Sequence, residues 1–182
     1  MKKKIILVCG RTASGKSSIV HRVCADTGLK VVSSYTTRPK RPSEVNGTDH
    51  IFIKPEEVDQ YRNDFAAYTE IDGYEYFATK GQIEQSDFYV IDPNGVEYFM
   101  NVCSEEFDPV VVYVRAPRRV RIMRSQYRGD TDKNIQKRMA AENEQFTRFE
   151  KEAAWDYHIL NDSTMDNAIE QLKKIAHKEM ML

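Results

Sequence analysis

The chain has little cysteine, no long hydrophobic run and no excess of either charge, and each shortage closes off a class of protein. Its three cysteines, Cys9, Cys24 and Cys103, are odd in number, scattered and without metal-ligand spacing. That excludes a disulfide-stapled secreted scaffold and a zinc module, and the thiols are expected reduced in the core of a cytoplasmic protein. No apolar run approaches the length a bilayer demands, so no membrane-spanning helix is expected. Lys2, Lys3 and Lys4 imitate the start of a signal peptide, but the apolar stretch after them is only residues 5–9, too short for one. With 27 basic residues against 28 acidic ones, no global field draws the chain to nucleic acid or to a membrane. Internal repeats, low-complexity tracts and interdomain linkers are also missing. A length of 182 residues suits one α/β domain with a substantial buried core.

Residues 10–17 read Gly10-Arg11-Thr12-Ala13-Ser14-Gly15-Lys16-Ser17 and fill every fixed position of G-x-x-x-x-G-K-[ST]. Glycines let backbone N–H groups turn inward around a polyphosphate, a lysine reaches the terminal phosphates, and a serine hydroxyl ligates Mg²⁺. The context fits. An apolar strand-like run precedes the loop, and Ile19, Val20, Val23 and Cys24 then fall on one helical face. Strand, loop and helix in that order predict a nucleoside triphosphate site.

Further strand-like runs lie at 31–33, 88–91, 110–114 and 158–160, with helical periodicity near 16–26, 93–103, 117–127, 132–152 and 164–178. This alternation predicts a three-layer α/β fold, a parallel sheet covered by helices on both faces, with ligands at the carboxyl ends of its strands. Residues 34–79 break the alternation and read as an insertion over that edge, leaving a core of 1–33 and 80–182. Six of the ten tyrosines fall between Tyr61 and Tyr98, which suits aromatic cross-strand pairs in a small antiparallel sheet.

The insertion opens with Ser34-Tyr35-Thr36-Thr37-Arg38-Pro39-Lys40-Arg41-Pro42. Two arginines three apart, on a backbone stiffened by prolines, suit a grip on a phosphate; a solvated basic turn is the plainer alternative. Two anion sites on one sheet edge suggest two phosphorylated substrates held face to face.

Continued through Glu44, Gly47 and Asp49, this segment resembles the substrate-phosphate signature of the guanylate kinase family. The resemblance extends to the phosphate loop, Tyr76, Asp92-x-x-Gly95, the arginines of 115–138 and Asn161-Asp162, nearly the whole chain. It implies transfer of a phosphoryl group from ATP, with Mg²⁺, to a nucleoside monophosphate, GMP or dGMP first. By that resemblance Thr12, Ala13, Ser14, Gly15, Lys16, Ser17, Ser18 and Asn161 bind ATP. The acceptor falls to Ser34, Arg38, Arg41, His50, Tyr76 and Asp92. Ser17, and Asp92 through water, attend the metal. As an isolated residue Asp92 would be a helix N-cap ahead of Pro93.

The acceptor pocket departs from the pattern. Counting from Gly73 and Tyr76, the family's guanine-binding glutamate falls at Ala67, its base-contacting Ser/Thr at Ala78, the glycine before that at Phe77, and the tyrosine expected after Asp49 at His50. Strand parity turns Glu70 to the opposite face unless a bulge intervenes, and Thr79 sits one residue late. His50 would make its phosphate contact sensitive to pH near neutrality.

Six arginines lie between 115 and 128, ahead of a Gly129-Asp130-Thr131-Asp132 turn. They read as a nucleic-acid patch, a salt-bridged helix face, or a lid over residues 117–135 that brings guanidinium groups to the transferring phosphoryl. Little aromatic interleaving and a neutral chain weigh against the first. By similarity Arg124, Arg128 and Arg138 are the catalytic members beside Lys16; Arg115, Arg118, Arg119 and Arg121 read as structural or peripheral. Rival readings are a kinase for another nucleoside monophosphate or for a phosphorylated sugar, and a non-catalytic binding module. The chain is expected as monomer or homodimer.

Overall fold

The computed structural model describes residues 2–41, 44–48 and 50–180. In chain order it begins with β1 (Lys3–Cys9), α1 (Lys16–Thr27), β2 (Tyr35–Thr36), β3 (Ile51–Phe52) and two short 3-10 turns. The hairpin β4 (Phe65–Ile71) and β5 (Tyr74–Thr79) comes next, then α2 (Lys80–Glu84), β6 (Phe88–Ile91), α3 (Pro93–Cys103) and β7 (Phe107–Arg115). The chain finishes with α4 (Arg118–Tyr127), α5 (Asp132–Ala141), α6 (Asn143–Glu152), β8 (Tyr157–Leu160) and α7 (Met165–Met180).

The core sheet is wholly parallel, in the order β6-β1-β7-β8. Alternate residues of β1 point to opposite faces, and both are covered, which is why the strand is apolar throughout. Ile5, Leu7 and Cys9 join Val96, Phe99, Phe146 and Phe149 of α3 and α6 in one buried cluster. Ile6 and Val8 join Ile19, Val20 and Val23 of α1 and Leu172 of α7 in the other. Cys9 pairs with Ile91 on one side and Tyr113 on the other, so the carboxyl ends of the strands form one edge.

The small sheet has the order β3-β2-β5-β4, with β2 antiparallel to β5 and β5 antiparallel to β4. Its hairpin turns at Asp72 (φ 54°) and Gly73 (φ 78°), the double left-handed turn that matches strand twist. One face carries the expected aromatic packing: Tyr35 stacks on its register partner Phe77 at 5.0 Å and on Tyr61 at 4.7 Å. The other face meets the core sheet, where Ala66, Ala67 and Ala78 enter the cluster of Tyr89, Ile91 and Val96.

Two expected elements differ. Residues 31–33 make only a parallel bridge from Val31 to Phe88, with the Val32 N–H donating to the Phe88 carbonyl at 2.8 Å. The chain leaves the sheet edge at once for the insertion, before a ladder can extend. Residues 132–152 form two helices rather than one, broken at Glu142, whose buried side chain is drawn to the phosphate loop.

Candidate active site

The loop between β1 and α1 lies on the strand edge, and its glycines are needed there for space. A Cβ on Gly10 would come within 2.5 Å of the Val114 carbonyl, and one on Gly15 (φ 91°) within 2.4 Å of the Asn161 amide nitrogen. Ala13 is also left-handed (φ 61°), a conformation costing about 1 kcal/mol for a residue with a side chain. The neighbours impose it. Ser14 donates its N–H to the Arg11 carbonyl at 3.0 Å, and the Ser14 carbonyl accepts from Arg124 at 3.1 Å and Asn161 at 2.8 Å. Thr12 donates its N–H to Glu142 at 2.7 Å. Lys16, Ser17 and Ser18 open α1, whose positive end faces the same edge. Burial pushes the half-buried Lys16 ammonium below its ordinary value; the charge of Arg128 adds to the fall, while Glu142 and Asp92 oppose it.

Glu150 secures the loop from outside, bonding both Arg11 Nε and Nη2 at 3.0 Å and accepting from the Tyr113 hydroxyl. The Arg11 hydrogen bond holds the Glu150 carboxyl below the ordinary glutamate value. Because the folded value is the lower one, the pair stabilises the fold at neutral pH, and that contribution disappears as pH falls through the carboxylate range. It amounts to roughly 0.5–1 kcal/mol, since the Glu150 side chain is 35% exposed and screened. Urea midpoints measured from pH 7 down to pH 3 should fall less steeply for Glu150→Gln than for the parent; parallel curves would remove Glu150 from this role.

Across the edge stand the expected acceptor residues. Ser34 Oγ lies 3.0 Å from His50 Nδ1. Arg38 donates from Nε to the Tyr76 hydroxyl at 3.1 Å. Its fork is turned not outward but onto Glu44, with bonds of 3.0 and 2.8 Å, so most of its donors are already engaged. Arg41 is half-exposed, 3.5 Å from Glu44. Burial first, then the like charges of Arg38 and Arg138, depress its pKa, which brings an arginine of α5 into electrostatic reach of the signature. Pro42 and Asp49 of the signature lie outside the described residues.

Asp92 ends β6 and caps α3: Oδ1 accepts from the Gly95 N–H at 2.7 Å and Oδ2 from the Thr69 hydroxyl at 3.1 Å. Burial raises its pKa against the pull of those bonds. Thr69 was not among the expected residues, though it pairs directly with Tyr76 in the hairpin and shares its face with Ala67 and Ala78. Hairpin register around Asp72-Gly73 is the signal that finds it. Glu70 pairs with Glu75 on the opposite face; the only irregularity in this pairing lies between Phe65 and Ala67, too early to turn Glu70 inward. Thr79 caps α2 instead, accepting from the Gln82 N–H at 3.3 Å.

The arginine segment divides. Arg128 and Arg138 share Asp130, at 2.9 and 3.4 Å, as the salt-bridged alternative expects. Arg124 is turned inward to the Ser14 carbonyl and, at 3.1 Å, to Asn161, and burial lowers its pKa. Asn161, expected beside the donor nucleotide, is 1% exposed and braces the loop backbone from beneath. Arg121, expected to be structural or peripheral, takes the structural part, buried in an ion pair with Glu142. No helix among the described residues is long and apolar enough to cross a membrane.

Comparison with known proteins points to one family. The guanylate kinase family model matches residues 1–179. The guanylate kinase of Symbiobacterium thermophilum is 30% identical, over 98% of this chain and 86% of its own length. The human guanylate kinase is 27% identical, over 96% of this chain and 93% of its own. In fold, the crystal structure of guanylate kinase from Anaplasma phagocytophilum superposes with a TM-score of 0.71 at 19% identity, covering all of this chain and 88% of the other.

Proposed function

Because the chain belongs to the guanylate kinase family, of nucleoside monophosphate kinase type, we propose that it transfers the terminal phosphoryl group of ATP to a nucleoside monophosphate, GMP or dGMP first, releasing ADP and the diphosphate. One observation carries the reading: two separate groups of phosphate-suited residues stand at the strand edge, the loop braced by Arg124 and Asn161 and the signature joined to the hairpin by the bond of Arg38 to Tyr76. Lys16 at the loop feels the charge of Arg128, and Arg41 of the signature feels that of Arg138. Like charges gathered this way repel in the free protein, and two phosphorylated substrates would relieve the repulsion.

In this reading Thr12, Ala13, Ser14, Gly15, Lys16, Ser17 and Ser18 hold the donor's phosphates, and Ser34, Arg38, Arg41, His50 and Tyr76 the acceptor's. No side chain acts as nucleophile. The acceptor's own phosphate oxygen attacks in line, so the protein's task is to position the partners, neutralise charge and exclude water. Ser17 and Asp92 are oxygen donors suited to Mg²⁺, directly and through water. Two such donors suit an ion carried mainly on the donor's phosphates and waters. When bound, that ion supplies positive charge between the phosphates.

A second reading, phosphorylation of another nucleoside monophosphate or of a phosphorylated sugar, is favoured by Ala67 and Ala78. They stand paired and buried on the face that carries Tyr76 and Thr69, and neither offers a group to a base. ADP release measured with GMP, dGMP, AMP, CMP, UMP, dTMP and a pentose phosphate separates the two. GMP or dGMP should lead by at least about tenfold in kcat/KM, a gap of about 1.4 kcal/mol. A different leader establishes the second reading, and no turnover with any acceptor removes both.

A further inference from the structure

Glu142 has no place in the reaction described so far, yet it is among the few buried charged groups, and one carboxylate makes two contacts. Oε1 accepts from Arg121 Nη1 at 2.9 Å, and Oε2 accepts from the Thr12 backbone N–H at 2.7 Å. The side chains of Arg121 and Glu142 are 8% and 9% exposed. Arg121 Nη1 also lies 3.4 Å from the Thr12 carbonyl, so the pair brackets both backbone groups of that residue.

Two features make the location informative. Thr12 immediately precedes the left-handed Ala13, and a strained residue of this kind persists only where its surroundings over-determine it. The downstream side is fixed by Arg124 and Asn161 on the Ser14 carbonyl; upstream the fixing group is Glu142. The second feature is topological. Arg121 stands in α4 and Glu142 at the α5–α6 break, so the pair brackets the segment 122–141. Arg124, Arg128 and Arg138 all lie between the two partners. The buried pair therefore ties both ends of that segment together and to the phosphate loop.

We infer that Glu142 and Arg121 are positioning residues for the donor site: they hold Thr12 so that the amides after it stay turned toward a polyphosphate, and they anchor the arginine segment to the same point. The inference rests on the loop taking the donor's phosphates. A buried ion pair adds little to stability compared with apolar residues of similar volume, so replacing both partners leaves the fold intact while removing the hold on Thr12. Loss of either partner alone strands the other charge, and that effect belongs to folding.

The test uses the double variant Arg121→Met/Glu142→Leu with Glu142→Gln as companion. Binding of a fluorescent ATP analogue is measured directly, beside KM for ATP, KM for the acceptor and thermal midpoint. The double variant should melt within a few degrees of the parent, yet bind the analogue and show KM for ATP weakened about tenfold or more, with KM for the acceptor changed less than twofold. Glu142→Gln, which keeps an acceptor oxygen for the Thr12 N–H, should recover part of the lost affinity. Parent-like ATP binding in a folded double variant overturns the inference. So does equal weakening toward both substrates, the signature of a merely structural role. Should the double variant fail to fold, Glu142→Gln decides by the same split between the two KM values, measured well below its own thermal midpoint so that the charge stranded on Arg121 does not unfold it. A parent chain that binds no ATP analogue refutes the functional reading instead, so the two failures are distinguishable.

Discussion

Lys16→Met should lower kcat for ADP production by a factor on the order of 10³ while leaving the thermal midpoint within a few degrees of the parent. Methionine keeps the unbranched stem and loses only the ammonium. In the free protein that ammonium is half-buried and shifted downward by desolvation, so it contributes nothing that stabilises the fold. In the proposed reaction its charge would act once phosphate oxygens stand beside it, and most of all when negative charge redistributes as the phosphoryl group moves. Removing it therefore costs rate without costing structure. A coupled ADP assay at saturating ATP and acceptor, run beside thermal denaturation, checks both halves. Turnover within tenfold of the parent in a folded Lys16→Met variant would defeat the mechanism.

Arg138→Met should lower kcat by about 10²–10³, with kcat/KM for the acceptor falling by a similar factor. Arg138 lies on α5 and is held by Asp130 at 3.4 Å, a long contact for a salt bridge and easily exchanged. Its charge already bears on Arg41, which puts it within electrostatic reach of the acceptor residues. A group that strengthens its hold only as charge develops on the transferring phosphoryl lowers kcat and kcat/KM together when removed. A ground-state binder would instead raise KM and leave kcat alone. Steady-state kinetics over a range of acceptor concentrations distinguish these outcomes, and an unchanged kcat would reassign Arg138 to acceptor binding.

Much of the site could be read along the chain because its signals are local. The phosphate loop needs strand, glycines, lysine and helix in immediate succession, and all occur within residues 3–27. The hairpin was equally accessible: Asp72-Gly73 sets the register, and register alone places Ala67, Thr69, Ala78 and Tyr76 on one face and Glu70 on the other. Less accessible were the roles of charges whose partners are distant in sequence. Arg121 and Glu142 are 21 residues apart and meet only because the segment between them folds back. Arg38 carries the family's pattern, but nothing along the chain says that its fork engages Glu44 while Nε engages Tyr76, 38 positions away. Asn161 reaches a carbonyl 147 residues earlier, because the parallel sheet sets the end of β8 beneath the loop.

The chain's order of residues thus determined by itself which backbone segments are apolar on two faces, where the phosphate loop turns and which face of the hairpin each side chain takes, since periodicity, glycine spacing and turn chemistry act between near neighbours. Tertiary structure alone decided which cations are buried, which are paired and which face one another. Desolvation and Coulomb attraction depend on distances through space, and those exist only once β1, β6, β7 and β8 share an edge.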